Sequence, residues 1–198
     1  MIVDDDPMVR TSMDSLFRSV GLQTRLFASA QEVMETPLPD VACCIVMDIR
    51  MPRMSGLEFQ AQLNARGDGV PIIFITGHGD IPMSVRAMKA GAFDFLAKPF
   101  RDQEILDAVE AALARDGERR ARDHVLADSR ARFEALTPRE KEVMAGVTRG
   151  LLNKQVAAEL GISEITVKLH RSSLMRKMGV RALADLVRVA EALNLRDN

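Results

Sequence analysis

The 198-residue sequence lacks any run that approaches the roughly 20 apolar residues needed to cross a bilayer, which argues against a membrane-spanning protein. We also expect no secretory signal, because acidic residues follow the first three residues before an apolar segment can form. We therefore expect a cytoplasmic protein. The composition is otherwise ordinary for a globular chain, and the length allows one or two domains.

Cysteine is scarce, and the two that are present, Cys43 and Cys44, are adjacent in an apolar run. Neighbouring side chains of a strand point to opposite faces, so these thiols are poor partners for a disulfide. The sequence also has no cysteine spacing typical of a zinc site. We interpret both residues as buried core thiols.

Net charge is small as well, at −1, but this value hides an asymmetry along the chain. Residues 1–100 carry 9 Lys and Arg against 12 Asp and Glu, whereas residues 134–198 carry 11 against 8. An acidic first half and a mildly basic second half fit a cation site followed by a site for a polyanion.

Short apolar runs alternate with helical patterns through the first hundred residues. Strands are predicted at 1–3, 26–27, 42–47, 72–75 and 93–97, and helices at 8–20, 30–35, 57–65, 81–90 and from about 102. This alternation predicts an α/β domain with a parallel sheet covered on both faces.

The chain changes character at 115–124, which is almost free of apolar residues. We predict a solvated helical linker over 116–135, which separates a first domain at 1–115 from a second at 136–198. In the second, Thr137, Pro138 and Glu140 predict a capped helix start. Further helices are predicted at 155–160, from 163 to about 178 and at 182–194, which makes an all-α four-helix domain.

Polar side chains follow four of the predicted strands at the point where each strand ends: Asp4, Asp5, Asp48, Thr76 and Lys98. Because the carboxyl ends of parallel strands meet at one edge of a sheet, we expect a single cleft. A carboxylate can attack phosphorus, a hard cation such as magnesium can hold packed carboxylates, and an ammonium or hydroxyl can bind phosphoryl oxygens. Any one of these residues could instead cap a helix or start a turn. The presence of all five at the ends of the predicted strands, in this order along the chain, indicates phosphoryl transfer.

Residues 1–115 resemble the receiver domains of bacterial two-component systems. The matching strings are VDDDP, MDIRMPRMSGLEF and ITGHGDIPMSVRAMKAGAFDFLAKPF, and the last resembles the FixJ subfamily more closely than receivers in general. The resemblance implies a flavodoxin-like, five-stranded parallel sheet in the order 2-1-3-4-5. It also implies that Asp48 is the phosphoacceptor, and that Asp4, Asp5, Asp48 and the backbone carbonyl of Arg50 bind magnesium or manganese.

The same resemblance assigns two further features. Lys98 would pair with the phosphoryl group and precede a cis peptide to Pro99, and Thr76 with Phe95 would form a switch pair. Phe95 stands where many receivers have tyrosine, so this switch lacks a hydroxyl. His78 lies near the site, and we favour a loop histidine over a proton-transfer group that tunes dephosphorylation.

The start of the chain departs from the receiver pattern. Only three residues precede Asp4, fewer than in the first strand of such domains. We interpret Met1 as a shortened or misassigned start and expect a weaker sheet edge there.

Residues 136–180 contain two short helices joined by a turn at Gly161, as in a helix-turn-helix whose second helix enters the major groove. The residues predicted to pack these helices are Val156, Ala157, Leu160, Ile162, Ile165, Val167 and Leu174.

On the second helix, Lys168, Leu169 and Ser172 share one face, which would present a cation, an apolar group and a hydroxyl to base edges. The residues predicted to contact phosphates are Asn153, Lys154, Thr166, Arg171 and Lys177. Spacing alone also allows an ordinary helical bundle with a solvated basic face. The strings LTPRE, LNKQVAAELGIS and TVKLHRSSLMRKM, however, resemble NarL/LuxR-type output domains, in which Leu169 and Ser172 occupy variable, specificity-determining positions.

The combined resemblance is to FixJ-like transcriptional regulators. It implies that a sensor histidine kinase phosphorylates Asp48, and that Ile81–Ala97 then favours a homodimer that binds promoter DNA and works with RNA polymerase. The candidate dimer-face residues are Val85, Met88, Lys89 and Phe93. Catalysis would be limited to self-phosphorylation and self-dephosphorylation at Asp48.

Two other classes of protein are alternatives. An aspartyl-nucleophile phosphatase of the haloacid-dehalogenase type would need a second acid two residues after the nucleophile, where this sequence has Arg50. A DNA-binding or scaffold protein that works without phosphorylation would not need an intact set of residues at the strand ends.

Overall fold

The computed structural model describes residues 1–77 and 81–195, and the chain divides into two compact units, Met1–Arg120 and Ala121–Asn198. Strands β1–β5 are Ile2–Val3, Leu26–Phe27, Ile45–Asp48, Ile72–Thr76 and Asp94–Ala97. Helices α1–α5 are Pro7–Ser19, Ala30–Glu35, Gly56–Arg66, Ile81–Lys89 and Asp102–Glu134. Helices α6–α9 are Pro138–Thr148, Asn153–Leu160, Glu164–Met178 and Leu183–Ala192. None of the helices in the described part of the chain combines the length and apolar character that crossing a membrane requires.

The five strands form one parallel sheet in the order β2-β1-β3-β4-β5, which confirms the predicted order. Successive side chains of β4 enter different clusters: Ile72 and Phe74 pack on one face of the sheet, and Ile73 and Ile75 on the other. Both faces are therefore covered, as the continuous apolar runs predicted.

Helix α5 contains 33 residues and runs unbroken through the stretch that was predicted to be a solvated linker. Asp116 within it is fully buried. Its carboxylate accepts hydrogen bonds from the backbone N–H of Cys43 at 2.9 Å and from the guanidinium groups of Arg119 and Arg120, each at 2.7 Å. The expectation of a solvated segment is therefore wrong at Asp116, because two arginines on the same helix compensate its charge.

The second unit contains the four predicted helices and one apolar cluster, which includes Val143, Val167 and Leu174. The predicted capping box is present, since the N–H of Thr137 donates to Glu140 at 2.8 Å and the N–H of Glu140 donates to the Thr137 hydroxyl at 3.3 Å.

Two details of this unit differ from the prediction. Helix α7 begins at Asn153, two residues early, because the side chain of Gln155 accepts from the N–H of Leu152 at 2.8 Å and closes the first turn. Ile165 is exposed, so the prediction that it is a core residue is wrong. It lies two residues from buried Val167, and residues spaced by two on a helix do not share a face.

Candidate functional site

The carboxyl ends of the strands bring the predicted phosphoryl-transfer residues to one edge of the sheet. Asp4 follows β1, Asp48 and Thr76 are the last residues of β3 and β4, and Lys98 follows β5. The Nζ atom of Lys98 lies 3.0 Å from Oδ2 of Asp4 and 2.9 Å from Oδ2 of Asp48. One ammonium group therefore joins two carboxylates that belong to different strands.

Backbone amides orient the second oxygen of each carboxylate. The N–H of Asp6 donates to Oδ1 of Asp4 at 2.9 Å, and the N–H of Arg50 donates to Oδ1 of Asp48 at 2.8 Å. Each carboxylate is thus held on one side by the chain that follows it, while its other oxygen faces Lys98. Fixed carboxylates of this kind need little reorganisation when charge develops nearby.

The protonation state of Lys98 follows from these contacts. Partial burial alone would lower the pKa of its ammonium group, but the hydrogen bonds with Asp48 and Asp4 outweigh burial and raise the pKa above its ordinary value. Lys98 therefore carries a full positive charge at neutral pH.

Two more predicted residues lie beside this cluster. Thr76 is buried, and its backbone carbonyl accepts from the N–H of Lys98 at 2.7 Å. Phe95 pairs in register with Phe74 on β4 and packs against the sheet. The Lys98–Pro99 peptide is cis, as the resemblance implied. His78 lies outside the described residues.

The metal ligands implied by the resemblance are brought together in part. Asp4 and Asp48 converge on Lys98, whereas Asp5 is exposed. Across residues 1–77 and 81–195, no three His, Cys, Asp or Glu side chains lie close enough to hold a metal ion. The carboxylates of Asp4 and Asp48, which share Lys98, still fit magnesium, because this ion is usually bound by one or two carboxylates and water. The backbone carbonyl of Arg50, two residues beyond Asp48, fits the same ligand set.

In the second unit, α7, the turn at Gly161 and α8 form the predicted helix pair. Gly161 has φ +64°, the left-handed conformation that glycine adopts without strain, and its N–H closes α7 on the carbonyl of Ala157. Lys168, Leu169 and Ser172 are all exposed, so the predicted reading face is available on the surface.

Three of the four cations predicted to contact DNA already have partners within the unit. Lys168 pairs with Glu164 at 3.0 Å, and Arg171 donates to the side chain of Asn153 at 3.0 Å. Lys177 pairs at 2.7 Å with Glu140, which is buried. Lys154 is exposed and Thr166 is half-buried.

Sequence reasoning predicted Glu140 as a helix cap but missed its larger role. Besides Thr137, its carboxylate accepts from the hydroxyl of Ser173 and the ammonium of Lys177, both at 2.7 Å. Burial alone would raise the pKa of Glu140, but the hydrogen bonds, first among them that from Lys177, lower it to about 2. This carboxylate ties α6 to α8, and no local pattern indicates contacts that span more than thirty residues.

Family models match both halves of the chain. Residues 1–110 match the response regulator receiver domain, and residues 134–190 match the bacterial regulatory proteins of the luxR family.

Individual relatives match almost the whole chain. Nodulation protein W of Bradyrhizobium diazoefficiens is 55% identical over 197 residues, covering 100% of this chain and 87% of that protein. Response regulator protein TodT of Pseudomonas putida is 48% identical over 192 residues, covering 97% of this chain and 85% of that protein.

Solved structures agree with these matches. The response regulator StyR has a TM-score of 0.85 at 50% identity, with 96% of each chain covered. Full-length FixJ from B. japonicum has a TM-score of 0.57 at 38% identity, with 98% of this chain and 96% of that chain covered. The chain therefore belongs to the FixJ-like two-component response regulators, which join a receiver domain to a LuxR-type DNA-binding domain.

Proposed function

We propose that this protein is a transcriptional regulator controlled by phosphorylation of Asp48. The observation that supports this most directly is the cluster in which Lys98 joins the carboxylates of Asp48 and Asp4 at 2.9 and 3.0 Å. A sensor histidine kinase is the proposed donor. A carboxylate oxygen of Asp48 attacks the phosphorus of a phosphohistidine, the P–N bond breaks with its electron pair left on the imidazole, and an acyl phosphate forms.

The residues around Asp48 have separate tasks in this proposal. Lys98, held fully charged, binds an oxygen of the transferred group, and the hydroxyl of Thr76 can hydrogen-bond another. Magnesium or manganese, held by Asp4, Asp5, Asp48 and the carbonyl of Arg50, supplies charge neutralisation when bound. The reaction is limited to Asp48 itself, so the protein is a switch rather than an enzyme that turns over a separate substrate.

The receiver would transmit phosphorylation through Ile81–Ala97. Thr76 turns toward the phosphoryl group and Phe95 fills the space behind it, which shifts an existing equilibrium of α4 and β5. Helix α4 presents exposed apolar side chains at Ile81, Val85 and Met88, which lie at helical spacing and favour a contact surface. We propose that a second copy of the chain binds there.

The proposed dimer face is completed by Lys89 and Phe93. Lys89 is exposed, and the half-buried ring of Phe93 lies 5.6 Å from the guanidinium of Arg115. A dimer of this kind would place two DNA-binding domains on paired half-sites, which adds their binding energies.

The second domain would bind promoter DNA through α8. Lys168, Leu169 and Ser172 read base edges, and Asn153, Lys154, Thr166, Arg171 and Lys177 contact phosphates in this proposal. The domain boundaries we propose are a receiver at 1–115, a helical linker at 116–135 and a DNA-binding domain at 136–198. The protein would work in the cytoplasm and contact RNA polymerase at the promoters it binds.

Genomic DNA fragments selected on the purified protein test this function. Selection is carried out at fixed salt, with and without acetyl phosphate and magnesium, on the wild type and on Asp48→Asn. We expect the phosphodonor to enrich a few fragments for the wild type but not for the variant. Equal enrichment under all conditions would leave a DNA-binding protein that works without phosphorylation, and would contradict the switch assigned to Asp48.

A further inference from the structure

Helix α8 carries two large apolar side chains on its outer surface. Ile165 is 72% exposed and Leu169 is 67% exposed. They are four residues apart, so their side chains are neighbours on one face of the helix. Two adjacent exposed apolar groups of this size indicate a surface that gains free energy when something covers it.

The pair does not belong to the core of the second unit. The buried residues that α8 contributes to that core are Val167, Leu174 and Met178, on a different side of the helix. The start of α8 is fixed independently, because the hydroxyl of Ser163 accepts from the N–H of Thr166 at 3.1 Å. The exposure of Ile165 and Leu169 is therefore a property of a well-anchored helix and not of a frayed end.

The charges of α8 indicate what covers the pair. The helix contains four cationic residues, Lys168, Arg171, Arg176 and Lys177, against the single acidic residue Glu164. Such a helix is attracted to a polyanion. In the major groove of DNA, the apolar group presented at base edges is the thymine 5-methyl group, and the residues near the start of a recognition helix are the ones that reach base edges.

We propose that Ile165 and Leu169 contact the 5-methyl groups of two thymines in the DNA site of this protein. The inference rests on the DNA-binding function proposed above and adds Ile165 as a specificity-determining residue. Four residues advance an α-helix by about 6 Å, and base pairs are about 3.4 Å apart. The two thymines therefore lie within about two base-pair steps of each other.

The polar side chains near the pair gain less from binding DNA. Lys168 already pairs with Glu164 and Arg171 already donates to Asn153, so each would divide its donors between its present partner and DNA. Ile165 and Leu169 lose no hydrogen bond when DNA covers them. The two apolar side chains can therefore add to the discrimination by Lys168 and Ser172 without giving up an existing interaction.

Replacement of thymine by uracil tests the proposal, because it removes only the 5-methyl group. A duplex recovered by the selection described above is synthesised with each thymine replaced singly, and its Kd is measured at fixed salt. The proteins are the full-length wild type, Ile165→Ala and Leu169→Ala. Val125→Ala is a matched control, since Val125 is 68% exposed on α5. Circular dichroism checks that all four remain folded.

We expect two positions at which uracil weakens binding by the wild type roughly fourfold each, the factor for one buried methyl-sized group. Ile165→Ala should remove the loss at one position, Leu169→Ala at the other, and Val125→Ala at neither. A duplex of scrambled sequence serves as the control for sequence preference. The inference is wrong, and DNA binding stands, if Ile165→Ala still binds more weakly at both uracil positions. The same holds if no uracil changes the Kd of a wild type that still prefers the selected duplex to the scrambled one. If the wild type binds both duplexes equally, the proposed function itself fails.

Discussion

Replacing Asp116 should destabilise the first unit, Met1–Arg120, through a network that joins α5 to Cys43, which lies two residues before β3. The carboxylate accepts from the N–H of Cys43 at 2.9 Å, and its two oxygens are shared by the guanidinium groups of Arg119 and Arg120. Asp116→Ala removes the anion and leaves two cations and one buried amide without this acceptor.

The expected cost comes from the burial of these groups. Breaking a buried ion pair by removing one partner typically costs about 3–5 kcal/mol, because the other charge stays desolvated. The side chains of Arg119 and Arg120 keep 28% and 25% of their exposure, so water can recover part of this loss. We therefore expect Asp116→Ala to lower the free energy of unfolding by about 3 kcal/mol. Asp116→Asn keeps the shape of the side chain but not its charge, so its free energy of unfolding should lie between those of Asp116→Ala and the wild type.

Denaturant unfolding and hydrogen exchange together provide the assay. The amide of Cys43 should exchange faster in Asp116→Ala, because it loses its acceptor, and Glu110→Ala on the exposed side of the same helix should change stability by less than about 0.5 kcal/mol. Burial alone would raise the pKa of Asp116, but its hydrogen bonds lower it below the ordinary 3.8, so its contribution is lost as pH falls below about 4. An Asp116→Ala protein as stable as Glu110→Ala, with unchanged exchange at Cys43, would refute this reasoning.

Three further changes test other parts of the structure. Gly56→Ala places a Cβ 2.7 Å from the ring of Phe74 and close to unyielding backbone, so calorimetry should show a loss of about 1–3 kcal/mol. The second unit of the wild type should lose about 1–2 kcal/mol of stability as pH falls from 4.5 to about 2, a loss kept small because water partly screens Lys177. Glu140→Gln should remove this dependence of stability on pH, because glutamine does not titrate. Lys98→Gln removes the cation shared by two carboxylates, so the Kd for manganese, measured by electron paramagnetic resonance, should fall. The rate of phosphorylation by acetyl phosphate should fall on the order of 100-fold. If neither the Kd nor the rate changes, the shared-cation geometry is contradicted.

The phosphoryl-transfer cluster was largely predictable because it depends on topology. Once strands and helices alternate, a parallel sheet follows, and its strand ends must meet at one edge. Asp4, Asp48 and Lys98 are separated by up to 94 residues, yet each stands at the end of an apolar run that the sequence makes visible. Their convergence needed no knowledge of individual contacts.

The contacts that escaped prediction depend on side chains that no chain pattern links. Asp116 and Cys43 are 73 residues apart, and Glu140 and Lys177 are 37 apart. Charged residues in an apolar-poor stretch are usually solvated, so burial of Asp116 becomes visible only when the guanidinium groups are in place. The prediction for Ile165 was wrong for a different reason. It was based on hydrophobicity alone, although the spacing of two residues from buried Val167 places Ile165 on another side of the helix.

Electrostatics explains why the site in the receiver needs more than its own residues. The two carboxylates of Asp4 and Asp48 and the one ammonium of Lys98 leave a net charge of −1 where, in the proposed function, an anionic phosphoryl group would approach. A bound divalent cation would reverse that sign, and hydrogen bonds from the backbone N–H groups of Asp6 and Arg50 hold the carboxylates that would bind it. Residues 134–198, with 11 basic against 8 acidic residues, have the opposite balance, which suits a polyanion without added metal. Residues 1–100 and 134–198 thus carry opposite net charges, −3 and +3, within a chain whose net charge is −1. Phosphorylation should therefore depend on divalent cations, while DNA binding should weaken with monovalent salt.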